Sequence, residues 1–421
     1  MSEFESETVA VLGLGYIGLP TAAILATHGM NVIGVDVDPQ RVNDVNAGQV
    51  PFVEPDLRVH VGGAVAAGRL RAQHETPPAD IYIIAVPTPF QKDHKADLRF
   101  VDAAADSIVP QLSGGELIIV ESTSPPGTTA HVADRVMAAR PDLTIDPADG
   151  RPVVEFAHCP ERVLPGRVMI ELVTNDRIVG GLTREASMRA RDLYRIFCDG
   201  EIHLTTAATA ELAKLAENAY RDVNIAFANE LSIIADQIGV NVFELIAVSN
   251  RHPRVNILQP GPGVGGHCIA VDPWFIVGSA PEYAPLVRAA RAVNDGKPHY
   301  VVEQINDAVA GLTSPTIALL GLAFKPDIDD LRESPAFDIA LSVARIHPTA
   351  RVLAVEPNVR QLPPQLAQHP NVELTDLSQA LAQAEVIALL VDHQEFKRLD
   401  RSQLPEVPII DTRGTWHGHR R

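Results

Sequence analysis

Thr8-Val-Ala-Val-Leu-Gly-Leu-Gly-Tyr-Ile-Gly-Leu-Pro20 decides the fold of this chain. A short apolar run ends in Gly13, Gly15 and Gly18. Pro20 and an alanine-rich stretch to about Thr27 follow, so the segment reads as strand, tight turn, helix. Glycines at these spacings let a pyrophosphate approach the backbone and rest on the helix N-terminus. Asn31-Val-Ile-Gly-Val-Asp36 is a second strand, ending in a carboxylate about twenty positions after the first glycines, where a ribose-binding acid is expected. A carboxylate there accepts from both ribose hydroxyls and repels a 2′-phosphate, which favours NAD over NADP; Arg41 nearby could offset that repulsion.

Outward from this unit, apolar strands are expected at Ile81 to Val86, Leu117 to Glu121 and Val153 to Ala157, with helices at Asp102 to Leu112 and Ala130 to Ala139. Alternating strands and helices indicate an α/β fold with a doubly wound, mostly parallel sheet. From Thr205 to Gly239 no glycine or proline intervenes before the last residue, which predicts a long helix ending at that glycine. Thirty residues of helix span roughly 45 Å, enough to link domains or form a subunit interface. Shorter helices are expected at Val242 to Ser249 and Ala284 to Asp295. After Ser314-Pro315 a second α/β pattern begins, with strands at Thr316, Arg351, Val386 and Pro408 and a helix at Pro335 to Ile346. The expectation is two Rossmann-like domains, 1–204 and 313–421, joined through a central helical domain, 205–312.

Composition narrows the function classes. The chain has 421 residues, 46% hydrophobic content and a formal net charge of −18, which argues against a nucleic-acid or anionic-membrane surface. It shows no apolar run near the ~20 residues a membrane span requires, and its acidic start is unlike a signal peptide, so a cytoplasmic protein is expected. Cys159, Cys198 and Cys268 are three cysteines with no Cys-x-x-Cys pair, indicating neither a disulfide framework nor a zinc or other metal site.

Several segments could carry chemistry. Cys268 follows Gly-Pro-Gly-Val-Gly-Gly-His, residues 261 to 267. It reads either as a presented nucleophile in a bare loop or as a buried structural cysteine. Thr88, Thr123 and Thr129 follow strands, where hydroxyls can meet ligands or simply cap turns and helices. Lys214, Asn218 and Arg221 share one helical face, alternatively a solvated stripe. Glu161 and Arg162 sit in a loop between prolines, and Arg251-His-Pro-Arg254 offers a clamp for phosphate or sugar hydroxyls.

The glycine fingerprint, Pro160-Glu-Arg-Val-Leu-Pro-Gly166, Lys214-x-x-x-Asn218, Gly265-Gly-His-Cys-Ile-Ala-Val-Asp272 and Gly321-Leu-Ala-Phe-Lys-Pro-Asp-Ile-Asp-Asp-Leu-Arg-Glu-Ser334 together resemble the UDP-glucose/GDP-mannose dehydrogenase family over nearly the whole chain. Many family members that oxidise UDP-glucose have Phe-Pro-Lys-Asp after the cysteine. Ile269-Ala-Val-Asp272 stands there in this chain, together with Asn250-Arg-His-Pro-Arg-Val-Asn, which is similar to the branch acting on UDP-N-acetylmannosamine. The resemblance implies a four-electron oxidation of a sugar C6 alcohol to a carboxylate using NAD, by an enzyme feeding cell-surface polysaccharide synthesis. Other UDP-hexoses, such as UDP-N-acetylglucosamine or UDP-glucose, are alternatives in the same class, and a catalytically silent nucleotide-sugar sensor is one from another.

The resemblance implies Lys214 and Asn218 for alkoxide handling, Cys268 as nucleophile, Glu161 for water and Asp272 as organiser. It places Gly13, Gly15, Tyr16, Ile17, Gly18, Asp36, Arg41, Thr88, Thr129 and Arg332 around NAD. The resemblance also implies Arg162, Val163, Lys214, Asn218, Arg221, His252, Arg254, Gly265, Phe324 and Lys325 around the UDP-sugar, and a homodimer through the long helix.

Overall fold

The computed structural model describes residues 6–52, 54–90, 96–164, 166–266 and 268–416. The chain forms two compact units, Met1–Glu217 and Asn218–Arg421, and the boundary falls inside one continuous helix, Ala207–Gln237.

Among the described residues, the first unit is built on eight strands: β1 (Thr8–Leu12), β2 (Asn31–Val35), β3 (Leu70–Gln73), β4 (Ile81–Ile84), β5 (Leu117–Val120), β6 (Glu155–His158), β7 (Arg177–Gly181) and β8 (Ile202–Thr206). Their order is β3-β2-β1-β4-β5-β6-β7-β8, parallel throughout except for the β6–β7 pair. Strands this apolar must be covered on both faces. Val9, Val11, Ile81, Ile83, Leu117 and Ile119 enter one core cluster, while Ala10, Leu12, Tyr82, Ile84, Ile118 and Val120 enter the other. The helix Gly18–Thr27 starts directly after the glycine turn and buries nine of its residues, Gly18 to Ala26. Helices Arg99–Ile108 and Thr128–Ala139 lie near their expected positions.

The second unit carries a five-stranded parallel sheet: β9 (Thr316–Leu320), β10 (Arg351–Val355), β11 (Val372–Leu374), β12 (Val386–Leu389) and β13 (Ile409–Asp411), ordered β11-β10-β9-β12-β13. The same alternation sorts Ile317, Leu319, Val352 and Ala354 to one core and Ala318, Leu320, Leu353 and Val355 to the other.

Three departures from the expected elements have physical causes. The helix expected to end at Asp295 runs over Pro285–Ala308, with Pro298 inside it. A proline removes its own N–H bond and crowds the carbonyl four residues earlier, but Val301, Val302 and Ile305 are buried against the second sheet and offset that cost. Strands β7 and β8 extend the first sheet where no strand was expected, because Arg177 and the Ile-His-Leu-Thr-Thr run, of which only Ile202 is buried, carry a weak hydrophobic signal. The strand expected at Val153 begins at Glu155.

Candidate active site

In the first unit the glycine turn is shaped by contacts that tolerate no side chain at Gly13 and Gly18. Gly13 has φ +95°, donates its N–H to Val35 O at 2.8 Å, and would place a Cβ 2.6 Å from Ala85 O. A Cβ on Gly18 would sit 1.8 Å from Gly13 O, whereas one on Gly15 would meet nothing within 4 Å. Open space over a turn that feeds a helix N-terminus suits a pyrophosphate. Asp36, 6% exposed, accepts the N–H of Leu14 at 2.8 Å and of Asp38 at 2.9 Å, and Arg41 reaches the same carboxylate at 3.1 Å. Arg41 therefore serves as a partner of Asp36. Tyr16 is half exposed and stacks on Phe52 with ring centroids 4.1 Å apart, beside the partly exposed Ile17. The Thr88 hydroxyl oxygen is buried and finds no hydrogen-bond partner among the described residues, as expected of a group waiting for a ligand. These features fit a bound NAD.

Thr129 is placed differently. It is fully buried; its hydroxyl donates to Glu211 at 2.6 Å, and the N–H groups of Gly127 and Thr129 donate to the same carboxylate. Glu211 thus caps the helix Thr128–Ala139 from outside, and the Thr129 side chain is engaged in that cap. Thr123 is partly exposed.

Glu161 lies in the loop after β6 and is 6% exposed. It accepts Arg177 Nη2 at 3.1 Å on one oxygen and the N–H of Arg162 at 2.6 Å on the other. Arg177, itself 4% exposed, also reaches Cys159 Sγ at 3.6 Å and lies over the Tyr194 and Phe197 rings, 4.8 and 5.2 Å from their centroids. Next to this pair is Glu121, fully buried and bonded by Tyr194 Oη at 2.7 Å and Thr21 Oγ1 at 3.1 Å. Burial, and then the charge of Glu161, push Glu121 up to about 7. Sequence reasoning missed Glu121, Arg177 and Tyr194. The one signal available was an acid placed directly after the apolar strand β5, as Asp36 is after β2. Arg162 pairs with Glu217 at 2.6 Å, and Val163 is partly buried beside it. Pro165 of the same motif lies outside the described residues.

The cysteines separate clearly. Cys159 and Cys198 are buried, and burial pushes the Cys159 thiol up to about 12, which disfavours the thiolate. Cys268, in the second unit, is exposed. Its carbonyl accepts the N–H groups of Val271 at 3.1 Å and Asp272 at 2.9 Å, so the residue sits in the turn that opens the helix Asp272–Ser279. Asp272, 3% exposed, accepts Asn218 Nδ2 at 2.5 Å. Lys214 lies one helical turn before Asn218 and is partly buried, whereas Arg221 is exposed on the same helix.

The glycines ahead of Cys268 have a role other than baring the sulfur. Gly266, with φ +84°, donates its N–H to Glu333 O at 3.1 Å, and a Cβ there would lie 3.0 Å from the Phe324 ring. A Cβ on Gly265 would lie 2.2 Å from Glu333 O. The cysteine loop is therefore fastened to the loop that carries Phe324, Lys325 and Arg332; His267 lies outside the described residues. Lys325 Nζ is 5.8 Å from the Phe324 centroid, and exposed Arg332 pairs with Asp330 at 2.7 Å. His252 and Arg254 are exposed in a loop closed by Asn250, whose side chain bonds both the N–H and the carbonyl of Ile257. Among the described residues, no helix is long and apolar enough to cross a membrane, and no cluster of His, Cys, Asp and Glu could hold a metal ion.

Comparison with known proteins gives the same picture. Models of the UDP-glucose/GDP-mannose dehydrogenase family match residues 7–198 as its NAD binding domain, 208–296 as its central domain and 318–418 as its UDP binding domain. An NDP-N-acetyl-D-galactosaminuronic acid dehydrogenase of Ralstonia nicotianae (strain ATCC BAA-1114 / GMI1000) is 53% identical over 99% of this chain and 98% of its own length. A UDP-N-acetyl-D-mannosamine dehydrogenase of Salmonella typhi is 54% identical over 97% of this chain and 99% of its own length. The solved UDP-D-ManNAc dehydrogenase of Pyrococcus horikoshii superposes with a TM-score of 0.86 at 36% identity, covering 97% of this chain and 96% of that one. The chain belongs to the UDP-glucose/GDP-mannose dehydrogenase family and is an NAD-dependent UDP-sugar dehydrogenase.

Proposed function

We propose that this protein oxidises the C6 alcohol of UDP-N-acetyl-D-mannosamine to the carboxylate of UDP-N-acetyl-D-mannosaminuronate. The observation that carries the reading is the exposed Cys268 at the opening of a helix whose first residue, Asp272, is bonded to Asn218. Residues 1–204 hold NAD, 205–312 form the central part with the cysteine loop, and 313–421 hold the UDP-sugar. NAD, when bound, accepts a hydride from the carbon undergoing oxidation.

The chain's own residues handle protons and the intermediate. Lys214 takes the proton of the alcohol as a base, or stabilises the alkoxide charge that develops as that proton leaves, with Asn218 beside it on the helix. Cys268 attacks the aldehyde carbon, its proton passing to the aldehyde oxygen, to give a thiohemiacetal that keeps the intermediate in place; loss of the second hydride to a second NAD, bound in succession, and of the hydroxyl proton to solvent leaves a thioester. Water attacks the thioester carbonyl, oriented by Glu161, whose carboxylate is held by Arg177, and the thiolate leaves. Asp272 fixes the Asn218 amide from the cysteine side.

The relative at 54% identity named for UDP-N-acetyl-D-mannosamine supports the substrate, as does Ile269-Ala-Val after the cysteine. The relative at 53% named for N-acetyl-D-galactosaminuronic acid supports a second reading, another N-acetylated UDP-hexosamine. Incubating the pure protein with NAD and each of UDP-N-acetylmannosamine, UDP-N-acetylgalactosamine, UDP-N-acetylglucosamine and UDP-glucose separates them. The true substrate yields about two NADH per sugar, because alcohol to acid is two hydride removals; one NADH without uronate overturns the scheme. Cys268→Ser is expected to abolish uronate formation while leaving NAD affinity within about twofold.

The reading includes a cytoplasmic homodimer that supplies an aminouronic acid for cell-surface polysaccharide. A reduced thiol nucleophile supports the compartment. Leu212, Tyr220, Phe227 and Ile234 are large apolar residues exposed at seven- or eight-residue spacing along the helix Ala207–Gln237, which supports a partner helix there.

A further inference from the structure

Residues 321–334 join β9 to the helix Pro335–Ile346 and carry Phe324, Lys325 and Arg332. Two non-glycine residues in this loop, Asp327 (φ +61°) and Glu333 (φ +49°), adopt the left-handed conformation. Such residues persist only where their surroundings hold them.

At Asp327 the holding group is His393. The Asp327 N–H points at His393 Nδ1 at 2.9 Å, and the Asp327 carboxylate accepts the N–H of Gln394 at 2.9 Å. His393 is 1% exposed, and its Nε2 lies 3.0 Å from Glu356 Oε2. That carboxylate already accepts the N–H groups of Leu322 at 2.8 Å and Ala323 at 3.1 Å, so it acts as an acceptor and Nε2 must carry the proton. Nδ1 faces two donors, the Asp327 N–H and Asn358 Nδ2 at 3.2 Å, so it must be bare. The network thus fixes which ring nitrogen donates and which accepts.

We propose that His393 is a positioning residue for UDP-sugar binding: its bare Nδ1 holds the strained turn at Asp327 and so presents Phe324 and Lys325, three and two residues earlier, to the nucleotide sugar. This rests on the reading of Phe324 and Lys325 as substrate contacts. Through His393 and Glu356, both buried, the loop is tied to the end of β10.

Two conservative replacements divide the two ring nitrogens. In His393→Asn the amide oxygen occupies the Nδ1 position and still accepts the Asp327 N–H. In His393→Gln the amide nitrogen reaches the Nε2 position, keeping Glu356 but leaving the Asp327 N–H without its acceptor. UDP affinity by calorimetry is expected to fall about tenfold in His393→Gln and to stay within about threefold in His393→Asn, with NAD affinity unchanged in both. A role in packing alone would move both variants together, and equal UDP affinities in the two would overturn the proposal.

Hydrogen exchange at the Asp327 amide reads the turn without any ligand. In the unaltered protein this amide is expected to be protected although the residue is exposed, and His393→Gln is expected to accelerate its exchange. Fast exchange in the unaltered protein overturns the proposal even if neither variant folds. Lys325→Ala, run in parallel, tests the reading beneath it. If Lys325→Ala weakens UDP and His393→Gln does not, the role of His393 fails. If neither weakens UDP while exchange still accelerates, the assignment of Lys325 to the substrate fails, and the functional half of the proposal with it.

Discussion

The glycine turns that end β1 and β9 are the same device with different consequences. In each, a left-handed glycine donates its N–H at 2.8 Å to the last residue of the neighbouring strand, Gly13 to Val35 and Gly321 to Val355. In each, the next N–H, of Leu14 or Leu322, is accepted at 2.8 Å by an acid just past that strand, Asp36 or Glu356. Beyond the turn the two chain segments diverge. After Gly13 a helix begins at Gly18, so its N-terminal N–H groups face whatever lies over the turn. After Gly321 the helix waits until Pro335, and the intervening loop carries Phe324, Lys325 and Arg332. Asp36 is met by Arg41, whose side chain is 35% exposed, whereas Glu356 is closed in by a buried histidine. One frame thus presents backbone N–H groups and the other a side-chain-bearing loop, as separate binding of a dinucleotide and a nucleotide sugar would require.

The harshest test of that contrast replaces each glycine. Gly13→Ala combines a left-handed alanine with a Cβ 2.6 Å from Ala85 O, and Gly321→Ala places a Cβ 2.4 Å from Val391 Cβ. Each is expected to lose about 4 kcal/mol of local stability. Gly13→Ala should abolish measurable NAD binding while sparing UDP, and Gly321→Ala should do the reverse. Equal loss of both ligands from either variant would break the comparison.

The fifth strand of each sheet extends it. After β5 stands the buried Glu121, while the corresponding residue after β13 is Thr412, whose hydroxyl donates to Leu389 O at 2.8 Å. Glu121 is raised from its ordinary value of 4.5 to about 7, so the folded state keeps a proton that the unfolded state releases. Stability therefore falls as pH rises from 4.5 towards 7, and the whole penalty is present above 7. Glu121→Gln should remove it, gaining up to about 3 kcal/mol at pH 8 and almost nothing at pH 4.5, as read from Tm against pH. A gain independent of pH would show that Glu121 is ionised throughout.

Smaller effects are expected at the paired acids. Asp36→Asn should weaken NAD about tenfold, about 1.4 kcal/mol, and improve the relative binding of NADP; Glu356→Gln should leave NAD unchanged. Burial opposes the charge of Glu356, but His393 and the N–H groups of Leu322 and Asn358 outweigh it and hold the carboxyl below its ordinary 4.5. Its contribution is thus present above pH 4.5 and is lost as pH falls through the lower folded value. Below pH 4.5, Tm should drop more steeply for the unaltered protein than for Glu356→Gln.

Legibility in the sequence tracks the range of the interactions. The turn at Gly13, the carboxylate at Asp36 and the thirty-residue helix are local patterns, legible because strand, glycine spacing and helix succeed one another along the chain. The helix Pro335–Ile346 was legible from its own start, where Ser334 caps it and Pro335 opens it. Arg177 was invisible: a charged residue on a strand is held by Glu161, sixteen positions away, by Cys159 and by the rings of Tyr194 and Phe197 further along the chain. His393 and Glu356 are thirty-seven positions apart, and nothing in either segment marks the other. The bare glycines before Cys268 were legible as a tight loop, but their reason, the approach of Glu333 and Phe324, lies outside that segment.

That approach sets a rule for inheritance and for engineering. Because the backbone at Gly265 and Gly266 leaves no room for a side chain beside Glu333 and Phe324, the cysteine loop and residues 324–333 form one exchangeable cassette. A chimera that imports either segment alone from a relative of different substrate preference inherits a mismatched seam, whereas one that imports both carries a ready-fitted pair.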